Sequence, residues 1–176
     1  MRQVNSESLG VPVVLAATRA VPDMVYPYRV GLIGGALGGL TMIGVAAIYG
    51  FASGYGAWLP VNLIGATLVR HLQTASFDQL LQFDGTAFIV GLALHAVLSI
   101  GLGLLFALLL PTMPGSPIVW SIVVGPMLWT LASVLILPMI NPIMARYVDH
   151  TSFLIAHVVY SVVLGVQIAR TPKIYA

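Results

Sequence analysis

The sequence predicts an all-α, polytopic membrane protein: four transmembrane helices in a bundle, with both termini in the cytoplasm. Three observations predict it. Of 176 residues, 59% are hydrophobic and only 7% charged, against roughly 25% charged in an ordinary soluble domain. Four charge-free apolar stretches run over about 30–51, 86–110, 118–137 and 152–169, each close to the ~20 helical residues that cross a ~30 Å hydrocarbon core. The basic residues are shared unevenly between the two sides. This composition excludes a water-soluble enzyme and a disordered chain. The absence of cysteine excludes disulfides, thiolate metal sites and cysteine nucleophiles. A net charge of +2 is too small for a nucleic-acid footprint.

Residues 1–29 read as an irregular cytoplasmic arm. Asn5, Ser6, Glu7 and Ser8 interrupt its start and Pro12, Pro22 and Pro27 break the rest, a pattern unlike a signal peptide. Residues 30–176 form the transmembrane domain. In its first span Gly31, Gly35 and Gly39 stand four apart, as do Gly34 and Gly38, which suits close approach of another helix. No strand precedes these glycines, so a dinucleotide-binding reading does not apply. The connection at 58–83 reads as an interfacial segment, with Tyr55 and Trp58 at belt level and a short helix over Asn62–Gln73. It lies either in the membrane interface or packed over the bundle mouth. Gly125-Pro126 predicts a kink in the third span, because Pro126 lacks a donor and crowds the carbonyl of Ile122. Arg2, Arg19, Arg29, Arg170 and Lys173 fall on the side of the termini, Arg70 and Arg146 on the other. The positive-inside rule then places both termini in the cytoplasm.

The second and fourth spans repeat one another. Asp84-Gly85-Thr86-Ala87-Phe88 answers Asp149-His150-Thr151-Ser152-Phe153, and each continues into His-x-Val-x-Ser-x-x-Leu-Gly. His95, Ser99, Gly103 and Ala107 thus recur every fourth residue, as do His157, Ser161, Gly165 and Ala169, giving each helix one narrow small-and-polar stripe. Leu59-Pro60-Val61-Asn62 and Leu137-Pro138-Met139-Ile140-Asn141 add a further echo. These matches imply a duplicated helical hairpin, two plus two, whose copies run parallel because each makes an even number of crossings. Asp84 and Asp149 read as helix caps.

Histidines inside a membrane call for a functional reading alongside the structural one. In the structural reading His95 and His157 are neutral and hydrogen-bond within the bundle. In a second they contact a quinone or relay protons. In a third both ligate one haem b. No catalytic constellation and no metal cluster is legible, and no cofactor of the chain's own is expected.

The residues from 88 to 170 resemble the YagU-type family of small bacterial inner-membrane proteins. The shared elements are His95, Ser99 and Ile100 in one helix, the loop Pro111, the Leu137-Pro138 exit, Pro142, and His157 in a last helix that ends at Arg170. The resemblance implies a multi-pass protein of the bacterial inner membrane. Trp58-Leu59-Pro60-Val61-Asn62-Leu63 and Ile140-Asn141-Pro142 are similar to blocks in four-helix proteins that accompany bacterial respiratory oxidoreductases. The expectation is therefore a non-catalytic accessory subunit of a larger respiratory or photosynthetic electron-transfer complex, whose partners are other membrane subunits and lipids and not nucleic acid. The alternatives are a stand-alone small transporter or channel, and a haem b-binding redox subunit.

Overall fold

The computed structural model describes residues 24–175; most of the arm expected at 1–29 lies outside them. In chain order the elements are β1 (Met24–Val25), α1 (Tyr28–Ala52), α2 (Trp58–Gly65), a 3₁₀ turn (Arg70–Thr74), α3 (Phe77–Leu80) and α4 (Gly85–Leu109). They continue with α5 (Pro117–Thr130), a π turn (Leu131–Ile136), α6 (Leu137–Ile140), α7 (Pro142–Tyr147), α8 (His150–Ala169) and β2 (Ile174–Tyr175). Four helical stretches are long and apolar enough to cross a membrane: Tyr28–Ala52, Gly85–Thr112, Pro117–Ile140 and His150–Ala169.

Polar residues set the helix starts. Asp84 accepts a hydrogen bond from the Ala87 amide at 2.8 Å, and Asp149 from the Ser152 amide at 2.7 Å. Ser116 caps α5 through the Val119 amide, with Pro117 in the first turn, where its missing donor costs nothing. α5 continues through Pro126, and the departure from α geometry falls after it, at the π turn. Pro138 supplies a reason. Its ring crowds the carbonyl of Val134 four residues back, and a wider turn relieves that crowding.

The extensive helix interfaces are α1–α4, α1–α8 and α5–α8, so α1 and α8 lie centrally and α4 and α5 flank them. α1 serves both neighbours with glycine. A Cβ on Gly35 would lie 2.5 Å from the Ser99 carbonyl oxygen, and one on Gly31 would lie 2.7 Å from that of Gly103. The second glycine row faces α8, with Gly34 against Leu164 and Gly38 against Tyr160. All three interfaces are antiparallel, and β1 pairs with β2, Met24 opposite Tyr175. The start of α1 and the end of α8 therefore lie at one end of the molecule.

At the other end the connections fold into a cap. Its core holds Leu59, Leu63, Leu72, Leu80, Ile143 and Met144. α2 starts four residues before the helix expected at Asn62–Gln73 and ends at Gly65, and it packs on the first turns of α4. A Cβ on Gly91 would lie 3.0 Å from the Val61 carbonyl oxygen. Segment 58–83 is thus packed against α4 and α7. Outside these contacts the long helices present apolar side chains outward: Leu40, Ile89, Val97 and Val134 are each more than 60% exposed, as lipid-facing positions are.

Replacing Gly35 by leucine drives a side chain into the α4 backbone, and overpacking of this kind costs about 1–3 kcal/mol or more. Denaturant titration in mild detergent is expected to show Gly35→Leu destabilised by at least ~2 kcal/mol, with Leu40→Ile unchanged. Equal midpoints for the two variants would refute the backbone contact as the holding interaction.

Candidate functional site

His95 lies on the α4 face that meets α1. Its Nε2 is 2.9 Å from the carbonyl oxygen of Gly39, with the Ser99 hydroxyl 3.4 Å from the same nitrogen. A carbonyl only accepts, so Nε2 carries a proton and donates the hydrogen bond to Gly39. His157 is arranged the other way. Its Nδ1 donates to the Phe153 carbonyl at 2.8 Å, one turn back on its own helix, and its basic nitrogen is Nε2. The His157 ring stands edge-on to Phe153, with centroids 4.4 Å apart.

Below each histidine the stripe packs on glycine or serine of the preceding long helix. Ser99 and Gly103 lie on Gly35 and Gly31, while Ser161 and Gly165 lie on Gly125 and Ser121. Ser99 and Ser161 are buried. The Tyr160 hydroxyl, fully within the core, donates to the Ser99 carbonyl at 2.6 Å and so ties α8 to α4.

This geometry bears on what the pair can hold. A haem between two histidines needs an outward lone pair on each. The Nε2 of His95 is protonated and faces the α1 backbone, where a Cβ on Gly39 would already lie 3.5 Å from it. No porphyrin fits against that nitrogen. The ring nitrogens not bonded to a carbonyl are His95 Nδ1 and His157 Nε2, and either can accept a hydrogen bond. Two donors of the third long helix, the Trp129 indole N–H and the Ser133 hydroxyl, are covered by protein and have no hydrogen-bond partner among the described residues. They lie one turn apart where α5 enters the π turn.

The most heavily bonded side chain is in the cap. Asn141 is fully buried between the third long helix and α7. Its amide donates to the Leu63 carbonyl at 2.7 Å and to the Thr67 hydroxyl at 2.9 Å; its oxygen accepts from Gln73 and from the Met144 amide. All four of its hydrogen-bonding positions are used. Asn62, equally buried, donates to the carbonyls of Leu80 and Gln82. In the sequence both asparagines stand out as marks of a repeat and as parts of the similar blocks, and Asn62 also as the start of an interfacial helix, with no bonding role evident. The available signal was an amide flanked by apolar residues and proline, which must find partners once buried.

An open cleft of about 440 Å³ indents the cap, lined by His71, Thr74, Gln79, Gln82 and Asp84 among others. His71 and Asp84 are 2.8 Å apart. The Ala87 amide and then the His71 side chain hold the Asp84 carboxyl below the usual carboxylate range. Among the described residues no three histidine or carboxylate side chains group to hold a metal ion.

If the histidines are structural donors, asparagine can replace them and leucine cannot. Losing one partner of a buried hydrogen bond costs about 1–3 kcal/mol in soluble cores and on average ~0.6 kcal/mol between membrane helices. Unfolding measurements should place His95→Asn and His157→Asn within ~0.5 kcal/mol of wild type. Asn141→Ala, which orphans several groups at once, should cost about 2 kcal/mol or more. An asparagine variant of either histidine that stays folded but loses a redox or transport activity would overturn the structural role. Comparisons with protein-family models, with curated proteins and with solved structures return no match to this chain.

Proposed function

We propose that the chain is a non-catalytic accessory subunit of a larger electron-transfer complex in a bacterial inner membrane, built as two parallel copies of a helical hairpin with both termini in the cytoplasm. The observation that carries the reading is where the polar side chains go. His95, Ser99, Ser121, Asn141, Tyr160 and Ser161 all bond to backbone carbonyls or lie against the glycine rows. His95 and Tyr160 thus join neighbouring helices, while Ser121 and Ser161 bond within their own helices at the α5–α8 contact. α4 and the third long helix keep broad apolar faces uncovered, Val97 and Val134 among them, which suits a helix set among neighbouring subunits and lipid. The YagU-type resemblance supports the choice of membrane. The like placement of Ser99-Gly103 on α1 and Ser161-Gly165 on α5 supports the duplication. The antiparallel β1–β2 pair, which brings the chain's described ends together, fits a common side for both.

A stand-alone transporter or channel is the second reading. The observation in its favour is the π turn at Leu131–Ile136, since such turns recur at functional and movable sites.

Solubilisation in mild detergent followed by native electrophoresis separates the two. A subunit is expected to migrate with haem- or flavin-bearing proteins in constant proportion; migration as a pure homo-oligomer refutes the subunit reading. Orientation is tested on its own. A reporter active only in the cytoplasm should work after Ala176 and fail near Asp78, and the reverse result would invert the topology.

A further inference from the structure

Among the described residues the two ends of the molecule differ in charge. The described carboxylates, Asp78, Asp84 and Asp149, sit in the cap or at the cap-side starts of α4 and α8. At the opposite end stand Arg29 in the first turn of α1, Arg170 at the end of α8, and Lys173 just before β2, all exposed. Among the described residues none of these three forms a salt bridge. Arg170 suits its helix, because a cation at a C-terminus complements the dipole. Arg29 does not. It lies at the positive end of α1, whose first turn has no acidic residue, so the helix gains nothing from it and an anion from outside would relieve it.

Aromatic side chains accompany the cations. The β1–β2 pair brings Lys173 over the Tyr26 ring, with its ammonium 5.3 Å from the ring centre. Tyr28 and Tyr175 are 69% and 83% exposed. Tyrosine favours the headgroup level, where its ring meets acyl chains and its hydroxyl meets water. Guanidinium forks pair bidentately with phosphate oxygens, and an ammonium adds a point charge.

We propose that this end is a binding surface for anionic phospholipid, with Arg29, Arg170 and Lys173 on the phosphate and the tyrosines bordering it at the membrane interface. The surface works the same way whether the chain is a subunit or stands alone, so it goes beyond the functional reading above and does not rest on it.

The test uses the full chain in mild detergent, titrated with phosphatidylglycerol or phosphatidylcholine while bound lipids are counted by native mass spectrometry. Each cation near a lipid phosphate is worth roughly fivefold in affinity. Wild type is expected to retain phosphatidylglycerol on the order of 100-fold more strongly than phosphatidylcholine. The triple variant Arg29→Gln, Arg170→Gln, Lys173→Gln should lose that preference. Arg70→Gln with Arg146→Gln, at the cap end, should keep it. Should the triple variant aggregate, the three single variants carry the test, each expected to lose roughly fivefold. Inorganic phosphate and chloride are compared at equal ionic strength. Equal weakening by both salts supports a lipid site; selective displacement by phosphate would assign the surface to a soluble anion and overturn the proposal. No lipid preference in wild type, or an undiminished one in the triple variant, also overturns it.

Discussion

Between helices immersed in lipid, burying an apolar side chain gains little, and association rests on how closely two backbones can come. α1 meets that constraint on two sides at once. Its Gly31–Gly35–Gly39 row receives α4, and its Gly34–Gly38 row receives α8. The α4 side reciprocates, since a Cβ on Gly103 would lie 2.6 Å from the Gly35 Cα. At that separation dispersion contacts are dense and backbone carbonyls come within reach of side chains on the next helix. The bonds His95 to Gly39 and Tyr160 to Ser99 exist because glycine opened the space. Polar pairing in the spans is thus a consequence of the close approach.

The cap solves a different problem. The third long helix ends at Ile140, and only the fourth has an extensive interface with its α5 part. Asn141 compensates by anchoring that end to Leu63, Thr67 and Gln73, across about seventy residues of sequence. A side chain with all its hydrogen-bonding capacity satisfied in one geometry is specific in a way that apolar packing is not. The third long helix, sparsely buried in its α5 part, is therefore held at its far end by polar bonds.

Much of this was legible in the sequence, for reasons that differ by element. The spans could be read because length and hydropathy are local properties, and the observed helices depart from the expected bounds by only a few residues. The glycine rows and the histidine stripes could be read because a four-residue period puts side chains on one face. The partner of each stripe could not: that Gly125 and Ser121 face Ser161 and Gly165 depends on tertiary register. The opposite tautomers of the two histidines were equally hidden, since each is set by whichever carbonyl lies nearest. Asn62 and Asn141 looked like repeat marks because sequence shows an amide but not its depth. The β1–β2 pairing joins residues about 150 apart, beyond any local signal. Pro126 lies within α5, and the π turn at Leu131–Ile136, upstream of Pro138, had no counterpart in the sequence expectations.

The π turn also fixes the rotational phase of the third helix. Such a turn holds one residue more than an α turn, and one residue corresponds to about 100° about the axis and ~1.5 Å along it. Everything downstream is dialled by that amount relative to α5. Leu137 thereby turns inward and Asn141 meets the cap, while Ser121 and Gly125, upstream, keep their own heading toward α8. Rewinding 131–136 as regular α-helix with its residue count unchanged would turn Asn141 by about 100° away from its partners, whereas deleting one residue there would remove the surplus and leave Asn141 in phase. The irregular turn thus acts as a gear between two faces of one helix that must address different neighbours.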